Sequence, residues 1–271
     1  MRYHPEQNST RARNNGVKPS AFRTTRAAGQ CRRLWLAAAL SALGTLVLCL
    51  RAETCTAQDT REIYQVSSRE AVAIGRFDGG PTIATLKKHG DFGIGTFDGF
   101  DGELIAFDGK VYQARVDTAP MIADDSLRTP FALVTFFKPS QKIAVTGKTD
   151  LTGLEQLILA AMPSKKIYSA VRLTGKFSLI KARTVPVQNP PYPSLAQALK
   201  LAQISVLHDT EATMVGFWSP PSMAEMSGGG LHLHFISTDG KHGGHVLDCG
   251  FSQAKVEIEP IRHIEIVLVD H

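Results

Sequence analysis

Leu231-His232-Leu233-His234-Phe235-Ile236-Ser237-Thr238-Asp239-Gly240-Lys241-His242-Gly243-Gly244-His245 alternates apolar and imidazole side chains, turns, and then supplies another imidazole. In an extended strand successive side chains take opposite faces, so His232 and His234 point together while Leu231, Leu233 and Phe235 point the other way. The first face is polar and the second belongs to a core. Asp239-Gly240 and Gly243-Gly244 carry turn chemistry, so a returning strand brings His245 beside the first pair. The segment predicts paired strands bearing a three-histidine site in the C-terminal part of the chain, with His242 as a competing ligand.

The same strand-and-turn grammar runs outward from there. Short β-type runs from Ile63 onward alternate with glycine-rich segments read as turns: Gly79-Gly80-Pro81, Gly90 to Gly95, Asp98 to Gly102, and Asp108-Gly109. Leu104 to Phe107 and Val111 to Val116 flank Asp108-Gly109-Lys110 as strand, turn and strand, with Glu103 where that hairpin begins. Ala132 to Phe137 and Ile143 to Thr146 are further strands. A second hairpin is expected where Ala170 to Thr174 and Phe177 to Ile180 flank Gly175-Lys176, and Ile264 to Val269 reads as a closing strand. Helical spacing is confined to Leu151–Met162, with apolar Leu154, Leu157, Ile158 and Ala161, and to a short helix from Ser194 to Gln203. The predicted fold class is α+β: mixed and antiparallel β-sheets with a few helices, in two β-rich subdomains at roughly 58–165 and 166–271. There is no internal repeat and no phosphate-cradling glycine motif opening a helix.

The 271 residues carry a formal net charge of +5, but the excess is localised. Residues 1–57 hold Arg2, Arg11, Arg13, Lys18, Arg23, Arg26, Arg32, Arg33 and Arg51 against Glu6 and Glu53, leaving 21 basic and 23 acidic residues out of 30 and 25 for the rest. A basic stretch, the apolar run Leu34 to Leu50, and small residues at Cys55-Thr56-Ala57 have the layout of a secretory signal peptide cleaved after Ala57. An uncleaved membrane anchor is the alternative, since the run is at the short edge of the roughly 17–25 residues that span a bilayer. Arg32-Arg33-Leu34-Trp35-Leu36 matches a twin-arginine export signal in outline. The expected location is therefore periplasmic or secreted. With the basic excess confined to the leader, nucleic-acid binding is not expected. Cys31, Cys49 and Cys55 also fall in the leader, so Cys249 has no partner for a disulfide after cleavage and is expected to be buried.

Three neutral nitrogens with one or two open positions describe a catalytic zinc site better than a structural one, which closes its shell with four protein ligands. Zinc is the expected metal, although manganese, iron and nickel also accept imidazole. His-x-His alone also describes an ordinary surface strand. The cupin pattern opens the same way but needs a glutamate soon afterwards, and Phe235 to Asp239 supply none.

Several separated blocks resemble the alpha-acetolactate decarboxylases. They are His89-Gly90-Asp91-Phe92-Gly93-Ile94-Gly95-Thr96-Phe97, Asp101-Gly102-Glu103-Leu104-Ile105, Thr129-Pro130-Phe131, Arg183-Thr184-Val185-Pro186-Val187-Gln188 with Pro191-Tyr192, Gly216-Phe217-Trp218, and the histidine segment itself, spanning from about Ile63 into the final strand. The resemblance implies a homodimeric enzyme that converts the small molecule 2-acetolactate to acetoin and carbon dioxide. It also implies zinc on His232, His234 and His245, with Arg183 and Glu103 at the substrate. Loss of carbon dioxide from a β-keto acid leaves electrons that must enter the neighbouring carbonyl, and a metal stabilises that charge. Arg183 suits the carboxylate and Glu103 suits proton transfer. Outside the resemblance, Arg183 reads equally as a surface cation and Glu103 as a turn-flanking acid. Thr96 is a candidate hydrogen-bond donor to substrate or to a neighbouring site residue, and His89 is expected to order a loop.

The family pattern continues past the last strand into a tail with another glutamate, whereas this sequence stops at Val269-Asp270-His271. Glu257, Glu259 and Glu265 lie earlier, in a run read as strand, and are not matched to that residue. The expectation is a slower enzyme, altered stereocontrol, or a relative acting on another 2-hydroxy-3-keto acid. The alternative function is an exported metal-binding module of the same fold that has lost activity.

Overall fold

The computed structural model describes residues 61–270, so the leader and its cleavage site lie outside the described residues. The first part of the chain runs β1 (Glu62–Val66), α1 (Arg69–Ala73), α2 (Ile83–Leu86), β2 (Phe92–Thr96), β3 (Glu103–Phe107), β4 (Lys110–Ala114), β5 (Met121–Ile122) and β6 (Ala132–Thr135). It continues through β7 (Gln141–Asp150), α3 (Leu151–Ala161), β8 (Tyr168–Thr184), α4 (Leu195–Ala198), β9 (Gln203–Ser219), α5 (Ala224–Ser227), β10 (Gly230–Ser237), β11 (Gly243–Ile261) and β12 (His263–Val267). Among the described residues, no helix is long and apolar enough to cross a membrane.

These strands form two sheets, of order β12-β1-β6-β2-β3-β4-β5 and β10-β9-β8-β11-β7. Every pairing is antiparallel except β1 with β12, which gives the α+β class with mixed sheets. β10 also pairs with β11, closing β8, β9, β10 and β11 upon one another at the end where the histidines lie. The boundary expected near residue 165 does not segregate the sheets, because β7 joins the second and β12 returns to the first. Each half of the chain thus lends a strand to the sheet built mainly by the other half.

Alternation explains how the sheets stack. Ile63, Phe92, Ile94 and Ile105 of the first sheet share a buried cluster with Ala170, Val215, Phe217 and Ile236 of the second. Burying a side chain such as Phe217 contributes about 1.5–3 kcal/mol. The opposite face of the first sheet is covered by Ile83 and Leu86 of α2, so β2 is buried throughout. α3 follows the predicted spacing: Asp150 caps it by accepting from Gly153 N–H at 2.8 Å, and Leu154 and Ile158 face the core one turn apart.

Two glycine-based expectations are corrected. Gly175-Lys176 is not a hairpin turn but the middle of the continuous 17-residue strand β8. A side chain at Gly175 would place Cβ 2.6 Å from the Gln253 carbonyl oxygen, so glycine there permits close approach of β11. Gly90 to Gly95 likewise contains β2 instead of a turn, and a Cβ at Gly93 would meet the Leu133 oxygen at 2.2 Å. Cys249 is buried as expected, and burial pushes its thiol up to about 12. His89 stacks on Tyr64 at a centroid distance of 3.8 Å, beside the end of α2.

Candidate metal centre

His232 and His234 share a face of β10 because they are two residues apart in a strand. The following turn is held by Ser237, whose N–H donates to the His242 carbonyl at 2.9 Å and whose hydroxyl donates to Asp239 at 2.6 Å. His242 is exposed in that turn and stands outside the cluster. β11 then returns in a register that sets His245 directly opposite His234. The Nε2 of His232 lies 3.2 Å from His234 Nε2 and 2.9 Å from His245 Nδ1. All three candidate ligand atoms lie within 4.8 Å of one another.

The first sheet fixes the deepest imidazole. His234 Nδ1–H donates to the Leu104 carbonyl at 2.9 Å, so its Nε2 presents a lone pair to the other rings. Burial, opposed by that carbonyl and aided by Arg183, holds the His234 imidazole down at about 4. Burial also holds His232 and His245 well below the ordinary histidine value; neighbouring imidazoles, Arg183 and Arg69 act in the same direction. Three neutral, converging nitrogens suit a metal ion: zinc–nitrogen bonds of about 2.0–2.1 Å in a tetrahedron set neighbouring nitrogens roughly 3.3 Å apart.

Glu103 follows from β3 register. It is buried opposite Thr96 of β2, and its Oε2 lies 3.4 Å from His234 Nε2. Burial raises its carboxyl to about 8, with Arg183 acting in the opposite sense. Thr96 also faces the cavity, but its hydroxyl donates to the Gly102 carbonyl at 2.7 Å and so secures the bend that enters β3. Arg183 sits on β8 directly opposite His245, half-buried. The three histidines, Glu103, Arg183 and Thr96 all line one cavity of about 480 Å³. Glu257 and Glu259 belong to β11 and point to other partners, Arg172 and the Lys138 N–H. Glu265 lies in β12, and none of the three lines the cavity.

One charged cavity residue is not singled out by the sequence: Arg69, the first residue of α1, capped by Ser68. A signal was present, since the first turn of a helix disfavours a cation. A lone arginine after two serines nevertheless has the composition of ordinary surface.

The family model for alpha-acetolactate decarboxylase matches residues 63–271. The alpha-acetolactate decarboxylase of Brevibacillus brevis is 37% identical over 208 residues, covering 76% of this chain and 72% of that protein. That of Bacillus licheniformis is 38% identical over 197 residues, covering 73% and 78%. The crystal structure of alpha-acetolactate decarboxylase from Bacillus subtilis strain 168 superposes with a TM-score of 0.76 at 34% identity, covering 78% of this chain and 90% of that one.

Proposed function

The chain belongs to the alpha-acetolactate decarboxylase family, and on that premise we propose that it is a zinc-dependent carboxy-lyase converting 2-acetolactate to acetoin and carbon dioxide. The observation that carries this reading is the convergence of Arg183 and Glu103, from two different sheets, on the cavity that holds the three imidazoles.

His232 Nε2, His234 Nε2 and His245 Nδ1 are the atoms that would hold the ion. Bound there, zinc supplies Lewis-acid stabilisation for the negative charge left on the carbonyl as carbon dioxide departs. Arg183 holds the substrate carboxylate through paired charge-assisted hydrogen bonds and so orients the bond to be broken. Glu103, 3.4 Å from His234 Nε2 and pushed up to about 8 by burial alone, is placed to exchange a proton with the developing charge. Apolar Val72, Phe131 and Leu195 in the wall exclude water and strengthen each polar contact inside. Leu104 serves through its carbonyl, which keeps His234 in the ligating tautomer.

Export after cleavage near Ala57, with an uncleaved anchor as the alternative, and assembly as a homodimer complete the proposal. N-terminal sequencing of the purified protein and light scattering test these two features. The activity is tested by metal analysis together with acetoin formation from racemic 2-acetolactate. Stoichiometric zinc with acetoin release supports it; zinc without acetoin refutes the activity and leaves a metal-binding module.

A further inference from the structure

Gln65 is a wholly buried polar side chain that the chemistry described above does not use. It lies on β1 two residues from Ile63 and so faces the space between the two sheets. Both ends of its amide are engaged there. Nε2–H donates to the Ser67 carbonyl at 2.8 Å and to the Met226 carbonyl at 2.6 Å, and Oε1 accepts from the Ser227 hydroxyl at 2.5 Å. Ser227 Oγ in turn accepts from the Tyr168 hydroxyl of β8 at 2.8 Å. A buried network whose members are all satisfied specifies one geometry, because a displacement leaves polar groups unpaired away from water.

The two segments bracketed by this amide lead straight into the cavity wall. Ser67 stands in the left-handed region at φ 59, which a non-glycine residue holds where its surroundings impose it, and its N–H is tied to the Val267 carbonyl at 2.8 Å. Ser68 then caps α1, whose first residue, Arg69, lines the cavity. On the other side Ser227 ends α5, and Gly228 and Gly229 continue as cavity wall. Arginine and glycine wall meet, since a Cβ at Gly228 would lie 4.0 Å from Arg69 Cδ.

The proposed substrate is an anion, and two guanidiniums line the space it enters. Arg183 is carried by β8, a strand of 17 residues laddered on both sides. Arg69 is carried by a helix of five residues packed against one of four, and helices that short do not hold themselves in water. Gln65 is the side chain that bonds to both of the segments from which Arg69 and the glycine wall extend.

We propose that Gln65 is a positioning residue of this site: its amide fixes α1 and the Gly228–Gly229 wall at one spacing and so preorganises Arg69 for the substrate carboxylate. The proposal rests on the decarboxylase reading and adds to it the device that readies the site for its anion. A cation held in place before binding loses less freedom on meeting its ligand, so the loss of Gln65 acts on substrate affinity. The metal ligands are spared, because β10 is held by its ladder with β9 from Gly230 onward.

The test uses the metal-loaded full chain as wild type, Q65M, R69Q and Q65M/R69Q, with L154A, a core substitution under α3, as a control for stability alone. Readouts are metal content, urea midpoint, kcat/KM for 2-acetolactate, and calorimetric affinity for the non-reacting 2,3-dihydroxy-2-methylbutanoate. Q65M and R69Q should each keep their metal and bind this acid about tenfold more weakly, and the double variant should bind within a factor of about two of R69Q, as coupled residues do. L154A should lower the urea midpoint and bind as wild type. S227A, which removes one bond of the network, should weaken binding less than Q65M, and it takes the place of Q65M in the cycle if that variant does not fold. Unchanged affinity in Q65M or R69Q, losses that multiply in the double variant, or an equal loss in L154A overturns the role of Gln65. Acetoin formation with wild-type affinity in Q65M refutes this inference alone. The expected binding pattern with no acetoin from the wild type supports Gln65 as the positioning residue and refutes the decarboxylase reading instead.

Discussion

His234 Nδ1 lies 2.9 Å from the Leu104 carbonyl oxygen, a hydrogen bond between β10 of one sheet and β3 of the other. It sets the tautomer of the most buried imidazole and ties it to the strand that carries Glu103. In H234A the metal loses a ligand and the carbonyl loses its donor. Metal content should fall below a tenth of wild type, and the metal-free protein should lose about 0.5–1.5 kcal/mol in urea unfolding with the buried hydrogen bond. H242A removes only an exposed turn imidazole and should keep full metal content. Equal metal loss in both variants would contradict the assignment of His234 over His242.

Arg183 shares a ladder position with His245 but is no part of the nitrogen cluster. R183A should therefore retain its metal while turnover of 2-acetolactate falls by about 10²-fold or more, since charge-assisted bonds to a carboxylate contribute roughly 1.5–3 kcal/mol and also orient the reacting bond. R183K should recover only part of this, because an ammonium lacks the planar fork that grips both oxygens. Wild-type kinetics in R183A with metal in place would remove Arg183 from the mechanism.

The histidine hairpin was legible because strand alternation and turn residues act locally: His232 and His234 share a face, and Ser237 to Gly244 turn the chain so that His245 returns to them. The hairpin of β3 and β4 and the helix capped by Asp150 were legible for the same reason. Gly175 and Gly93 were misread because glycine marks both a turn and a close backbone approach, and only the neighbouring strand distinguishes them. The parallel pairing of β1 with β12 joins Glu62 to His263, a contact no local pattern encodes. Arg69 escaped notice because its place in the cavity wall is set by packing between segments far apart in the chain, not by any pattern beside Ser68.

The Glu103 carboxyl provides a pH test in the metal-free protein. Burial lifts it from 4.5 to about 8, so between those values the native state holds a proton that the unfolded chain has released. Stability should therefore fall as pH rises through that window. The buried imidazoles give the opposite slope below 6.5, where unfolded histidines take up protons and His234 stays neutral until about 4. Between pH 6.5 and 8 the Glu103 contribution stands apart and should amount to about 1 kcal/mol per pH unit. Urea midpoints across that range should decline in the wild type and stay level in E103Q; parallel slopes would show that Glu103 is ionised in the fold.

Gly216 offers a test of how the ladder places the metal site without altering a ligand. It pairs with Leu233 in β10, and a Cβ there would fall 1.9 Å from the His232 carbonyl oxygen. The obstacle is backbone, not a flexible side-chain tip, so G216A must push β10 away from β9 at the point where His232 enters the cluster. Overpacking of this kind costs about 1–3 kcal/mol. Because His232 Nε2 makes close approaches to both other imidazoles, displacement of its strand should also weaken metal binding by about 10–100-fold, as loss of ligand orientation does elsewhere. Competition against a chelator, performed well below the unfolding midpoint, separates the two effects. A variant destabilised as expected but with wild-type metal affinity would mean that β10 adjusts at Gly216 without moving the imidazole, and that ligand geometry is set by the β10–β11 pairing alone.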